Sequence, residues 1–257
     1  MIDDSSAFIE EESHYNKKYK SSENLEWRYD ILFNAAHQQF NDWVISIIKE
    51  DQPIKILDLG CGDGSRTRFL VDYPNVELIG IDISETGIKK ANENKVGNCS
   101  YIIMAAENMD FAPNSFDLII NYGSFSSINL ESVWKKLLNI IRPEGSIIGI
   151  ETLGNNPLFN FKRNINVKNR IRSQTSKERI LKYNQVFNWS NNCDKFTSRT
   201  FGFMSPLLVP LLWIIPKKNL LRDVVYIFDK IDKYFWFKFQ FFRKLSFKIV
   251  FHLQGFK

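Results

Sequence analysis

The sequence predicts an α/β fold, a doubly wound and mostly parallel sheet of seven strands. Three observations lead there. Short apolar runs alternate with amphipathic stretches from Ile54 to Glu151. A glycine-rich turn, "GCGDG", follows the first of those runs. Two later stretches alternate their side chains as antiparallel strands do.

Residues 24–50 place Leu25, Tyr29, Leu32, Phe33, Ala36, Phe40, Trp43, Val44 and Ile47 at three- and four-residue spacing, so a helix is expected. "IKILDL" is a continuous apolar run ending in glycine, the pattern of a buried parallel strand. A helix is expected over 65–73, a second strand over 76–83, and a helix from Glu85 to Val96, stopped by Gly97. "SYIIMA" (100–105) and "FDLIINY" (116–122) give two more strands. Leu130 to Ile141 reads as a helix stopped by Pro143, and "GSIIGIE" (145–151) as a fifth strand. "DKFTSRTFGF" (194–203) and "LSFKIVFHL" (245–253) read as the last two, giving an antiparallel edge with a helical insertion between them.

Composition bounds the function. The chain has 257 residues, enough for one large domain with an elaboration. Residues 1–160 carry 14 Lys and Arg against 24 Asp and Glu, whereas residues 161–257 carry 20 against 5. Of the 37 aromatic residues, 20 lie after residue 160, so a functional boundary is placed there. The expected organisation is an N-terminal helical cap (1–50), a ligand-binding core (51–160) and a basic, aromatic acceptor or lid region (161–257). The start "MIDDSSAFIEEE" is acidic, unlike a secretory leader, and the apolar run from Met204 to Ile215 is broken by Pro206 and Pro210. Cys61, Cys99 and Cys193 form no C-x-x-C pair, which argues against a disulfide framework or a zinc site, and no metal is expected. A cytoplasmic protein, peripheral to a membrane at most, is the expectation.

The glycine turn carries the chemistry. Gly60, Gly62 and Gly64 let the backbone turn sharply and let a ligand approach without a Cβ in the way. A helix starting near Ser65 would aim free N–H groups at that ligand. Asp82 ends the second strand, where a carboxylate accepts from the two hydroxyls of a ribose. Together these point to an adenosine-type molecule.

The chain resembles the class I S-adenosylmethionine-dependent methyltransferases. The residues that carry the resemblance are the acidic-x-Gly-x-Gly-x-Gly loop from Asp58, the acidic residue in "GIDIS", "AEN" and a proline ahead of "NSFDLII", and "IRPEG" before the fifth strand. The match runs from Ile54 to Glu151. It implies a Rossmann-like sheet and S-adenosyl-L-methionine as cofactor. It also implies roles. The backbone of Leu59, Gly60, Cys61 and Gly62 would lie along the methionine part, with Asp58 near its amino group. Asp82 would hold the ribose, Ile83 would pack on the adenine, and Ala106 and Glu107 would flank the adenine edge. Asn121 would offer its carbonyl to the cofactor's amino group. Ala105 departs from relatives that carry Asp there, and Ser126 and Ser127 stand where many carry two histidines.

A base is needed only where the acceptor must lose a proton, and without those histidines it would come from elsewhere. His14, in the acidic N-terminal segment, is the first candidate, because such segments close over the cofactor in related enzymes. Glu151, at the carboxyl end of the fifth strand, is the second. "TLGNNP" resembles a Leu-Gly-His-Asn-Pro loop of a subset acting mostly on small molecules, with Asn155 in the His position. The expected acceptor is a small molecule, or one linked to a sugar or lipid.

The basic, aromatic end supports a lid that touches an anionic membrane, with Leu220, Leu221, Val224, Phe228, Ile231 and Phe235 on one helical face. The alternatives are an RNA methyltransferase binding through that end, and a binding module without catalysis. Nucleic acid is the less expected partner. The sequence does not speak to oligomeric state.

Overall fold

The structure, a computed structural model, describes residues 4–20, 30–204, 208, 214, 215 and 217–256. The strands are β1 (Ile54–Leu59), β2 (Val76–Asp82), β3 (Cys99–Ile103), β4 (Phe116–Tyr122), β5 (Ile141–Thr152), β6 (Cys193–Phe201) and β7 (Lys248–Phe256). They form one seven-stranded sheet in the order β3-β2-β1-β4-β5-β7-β6. The first five pair in parallel. β7 runs antiparallel to both β5 and β6 and lies between them. The order reverses between β1 and β4, so a crevice opens outside the carboxyl ends of the strands there.

The helices are α1 (Asp4–Lys20), α2 (Asn34–Ile45), α3 (Glu85–Glu93), α4 (Leu130–Ile140), α5 (Pro157–Lys168), α6 (Gln174–Glu178), α7 (Tyr183–Asn188) and α8 (Lys218–Lys238). Two apolar layers sandwich the sheet. On one face Leu57, Leu59, Ile119 and Ile147 pack under Val133, Leu137 and Ile140 of α4 and under Trp189. On the other, Ile56, Leu118, Ile120 and Val250 pack under Ala36, Phe40 and Val44, which recur every fourth residue of α2. Side chains of each strand alternate between the layers, which is why the central strands read as continuous apolar runs.

Local signals set several boundaries. Ser84 caps α3 by accepting from Gly87 N at 3.0 Å. Asn129 caps α4 by accepting from Ser132 N. Asn156 caps α5 with Pro157 at its first position.

The expected helix over 65–73 is absent. The chain makes turns and then a short 3-10 segment, Arg68–Asp72. Asp63 explains the change: its Oδ1 accepts from Ser65 N and Ser65 Oγ, closing a side-chain turn where a helix would begin. β5 starts at Ile141, four residues before the expected Gly145, and its pairing with β4 shifts register between Phe116 and Leu118 to pass Pro143. α3 stops at Glu93, short of the expected Val96. The helix expected over 24–50 is α2, and its first expected residues, 24–29, lie outside the described ones.

Candidate functional site

A cavity of about 730 Å³ opens above the carboxyl ends of β1, β2 and β4. Its floor is Asp58, Leu59, Gly60, Cys61, Asp82, Ile83, Ala106 and Glu107, all expected site residues, with Tyr122, Gly123 and Ser124 after β4. Gly60 has φ +74°, and a Cβ there would sit 2.4 Å from Ser124 Cβ. Only glycine lets β1 turn so close to the β4 loop.

Asp58 is 1% exposed. Its Oδ2 accepts from Thr67 Oγ1 at 2.7 Å. Its Oδ1 is buried without a hydrogen-bond partner among the described residues. Burial pushes its carboxyl up to about 7; the Thr67 bond opposes that, and the Asp82 charge adds to it. A buried carboxylate oxygen without a donor, beside a ligand-sized space, is an incomplete site. An ammonium group completes it, so the residues fit the amino-acid end of S-adenosylmethionine.

Asp82 stands opposite. Its Oδ2 accepts from Gly62 N at 2.9 Å and its Oδ1 from Ser84 N at 2.8 Å. Burial raises its carboxyl, and those backbone bonds oppose the rise. Each oxygen keeps a second lone pair for a ligand hydroxyl.

Gly62 does not line the cavity. Its φ is +56°, and a Cβ would meet the Tyr19 hydroxyl at 1.9 Å. This glycine makes room for a tyrosine of α1. Asn121 is fully buried beneath the floor, where its Nδ2 donates to Glu151 Oε1 at 2.7 Å and its Oδ1 accepts from Ser124 N at 3.1 Å.

Neither candidate base lines the cavity. Glu151 is 1% exposed, and its Oε1 accepts from Asn121 Nδ2 and Phe125 N, both at 2.7 Å. That arrangement ties β5 to the β4 loop. His14 lies on α1 with its ring edge-on to Tyr15 at 5.3 Å, and burial lowers its pKa.

The roof is α1, which lies in the expected N-terminal helical cap although the sequence reading did not single it out as an element. Asp4, Phe8, Glu11, Tyr15, Lys18 and Tyr19 face the cavity. Three groups of bonds hold the helix down. At its carboxyl end Asn16 Oδ1 accepts from Ser84 Oγ at 2.8 Å and Thr86 N at 3.1 Å, and Lys90 Nζ donates to the Tyr19 carbonyl. In its middle the Tyr15 and Ser127 hydroxyls meet at 3.0 Å. Toward its amino end Glu10 accepts from Gln174 N (2.8 Å), Thr175 N (3.0 Å) and Thr175 Oγ1 (2.5 Å), and Arg179 pairs with Asp4 at 2.7 Å.

Glu11 is the carboxylate of that roof that sequence reasoning missed. It is 1% exposed, its Oε1 is bonded by Ser173 Oγ, and its Oε2 is buried without a partner among the described residues. Burial raises its carboxyl; the Ser173 bond opposes that. Phe8, Glu11, Tyr15, Lys18 and Tyr19 do keep helical spacing, but their face is too polar to mark a helix by its apolar pattern.

No described residue of 204–244 lines this cavity. Of the region after residue 160, Arg179 alone among the described residues reaches it.

The fold and this site define a Rossmann-like enzyme domain built to hold an adenosyl amino acid. Residues 56–145 match a family model described as a methyltransferase domain. A malonyl-[acyl-carrier protein] O-methyltransferase of Priestia megaterium is 32% identical over 132 residues, 49% of this chain and 46% of that protein. A demethylmenaquinone methyltransferase of Thermotoga maritima is 29% identical over 132 residues, 49% of this chain and 57% of that protein. The match thus spans about half the length of these curated relatives. A Haemonchus contortus phosphoethanolamine N-methyltransferase, solved with phosphomonomethylethanolamine and S-adenosylhomocysteine, aligns over 90% of this chain and 57% of its own, with a TM-score of 0.57 and 14% identity, a likeness of fold. Residues 56–145 form a methyltransferase domain of the class I S-adenosylmethionine-dependent type, and S-adenosylmethionine is that family's cofactor.

Proposed function

We propose that this protein transfers the methyl group of S-adenosylmethionine to a small-molecule acceptor, alone or linked to a carrier, sugar or lipid, held beneath α1. The observation that carries this reading is the cavity of about 730 Å³ between the glycine turn and α1. That volume suits small ligands. The relatives support the class: by name they act on malonyl-[acyl-carrier protein] and demethylmenaquinone. No described residue of the basic helix α8 lines the cavity, so the cavity itself adds nothing to an RNA reading.

Bound S-adenosylmethionine supplies a methyl group already activated by a positive sulfur. The chain's task is alignment and exclusion of water. Asp58 would hold the ammonium, Asp82 the ribose hydroxyls, and Ile83 and Ala106 the adenine. α1 covers the site, and the Tyr15–Ser127 contact holds the cover to the β4 loop. Tyr15 is pushed up to about 12 by burial, so it remains a proton donor that orients the acceptor. Glu11 Oε2 takes the proton that a hydroxyl or ammonium acceptor must lose. Burial raises its carboxyl, the direction that makes it a stronger base.

The test is transfer of labelled methyl from S-adenosylmethionine into small-metabolite, sugar and lipid extracts. Wild type labels one acceptor, and Glu11→Gln lowers the rate by roughly 10²–10⁴-fold without weakening S-adenosylhomocysteine binding. Label entering RNA instead would refute the acceptor class.

A further inference from the structure

A second surface has no part in that site. α8 packs its inner side, Leu221 and Val225, against Ile31, Leu32 and Phe33. Its outer side carries Leu220, Ile227, Ile231 and Tyr234, which are 51, 56, 43 and 67% exposed. At 3.6 residues per turn these four fall on one stripe along the helix. Beside the stripe lies a cavity of about 410 Å³ between α8 and α2. Arg222, Tyr226, Lys230 and Lys233 wall it, facing Asn34 and Gln38. Lys230 Nζ sits 4.5 Å above the Tyr226 ring.

Two carboxylates, Asp223 and Asp229, also line this cavity. Asp229 is pushed up to about 7 by burial and by the neighbouring Asp232, with Lys233 opposing, so its negative charge is partly quenched near neutral pH. Lys217 and Lys218 are exposed at the start of the helix. The outer side of α8 is therefore an apolar ridge with a basic trough along one flank.

We propose that α8 docks this protein on an anionic phospholipid membrane, its apolar stripe entering the interface and lipid phosphates seating in the trough of Arg222, Lys230 and Lys233. Charge complementarity selects the occupant: the trough attracts phosphate, and the ridge beside it is largely aliphatic, which suits acyl chains and gives nucleic-acid bases little to stack on. No helix among the described residues is long and apolar enough to cross a membrane, so α8 lies on the surface.

Flotation of the full chain tests this with phosphatidylcholine vesicles and with vesicles that also contain phosphatidylglycerol. Wild type floats with the anionic vesicles, and salt weakens the binding. The triple variant Arg222→Gln, Lys230→Gln, Lys233→Gln loses about a hundredfold in vesicle affinity. The double variant Ile227→Ser, Ile231→Ser loses about tenfold or more, although its charge is unchanged. All of these side chains are exposed, and unchanged S-adenosylhomocysteine affinity confirms that each variant is folded. Equal flotation of wild type with neutral and anionic vesicles would overturn the proposal. So would a double variant that floats like wild type, or binding of single-stranded RNA, lost only in the triple variant, in place of vesicle binding. The functional reading stands or falls separately, on cofactor binding and methyl transfer.

Discussion

Two carboxylates of the cavity differ in what their burial asks for. Asp58 carries a raised pKa because it is buried, and one of its oxygens has no donor to offset that burial. Its ordinary value of 3.8 goes to about 7 on folding. The folded state thus holds its proton more tightly than the unfolded chain. Stability from this group is complete below the unfolded value and is lost as pH rises through about 7. The loss amounts to roughly 4 kcal/mol at most. Urea unfolding of the cofactor-free protein across that window should show the decline, and Asp58→Asn should flatten it. Saturating S-adenosylmethionine, whose ammonium supplies the missing donor, should offset it in wild type alone. Glu11 shifts in the same direction, and the prediction for it is kinetic: the rate of methyl transfer falls as pH drops through its raised pKa. Glu11→Gln loses that dependence. Asp58, Gly60 and Asp82 were legible in the sequence because strand ends and backbone sterics fix their roles locally. Glu11, Tyr15 and Tyr19 were not, because their roles depend on where a helix distant in sequence comes to rest. His14 was chosen for its chemistry. The helix turns it away from the cavity that its neighbours face.

The parallel strands were readable as elements: β1, β2, β4 and β5 are apolar runs covered from both sides, and β3, at the sheet edge, keeps a short apolar run although Ile102 and Ile103 are exposed. The segment after the glycine turn was not. Its spacing suits a helix, but the Asp63 side chain folds onto the amide and hydroxyl of Ser65, and the chain goes on in turns and a short 3-10 segment. α1 was missed for the opposite reason. Its sequence is polar on average, and contacts at both ends hold it rather than a broad apolar face. Two substitutions probe it. Glu10→Ala removes three bonds to the amino end of α6 and should cost about 1–3 kcal/mol in closure of α1. Hydrogen exchange over residues 4–20 should then quicken, while β1 to β5 stay protected. Gly62→Val places a branched side chain where the Tyr19 hydroxyl lies. It too should open α1 and weaken cofactor binding, with the sheet intact. Unchanged exchange in α1 for both variants would refute the roof assignment.

The molecule divides its labour differently from its charge. The boundary near residue 160 is real in composition, but the cavity is built from α1, the carboxyl ends of the sheet and Arg179. The basic α8 packs on the third apolar cluster, with Ile31, Leu32 and Phe33. Replacing residues 204–244 with a short turn exposes that cluster and should lower thermal stability. Cofactor affinity should change by no more than about twofold, as for independent distant sites. The central claim is that S-adenosylmethionine lies on the glycine turn between Asp58 and Asp82. Calorimetric titration of S-adenosylhomocysteine into wild type and Asp82→Ala tests it most directly. The account predicts one site in wild type and a loss of about 10–100-fold in the variant, the cost of leaving the ribose hydroxyls and the Gly62 amide without their acceptor. Equal affinity in the two proteins, or no binding to wild type, would contradict it.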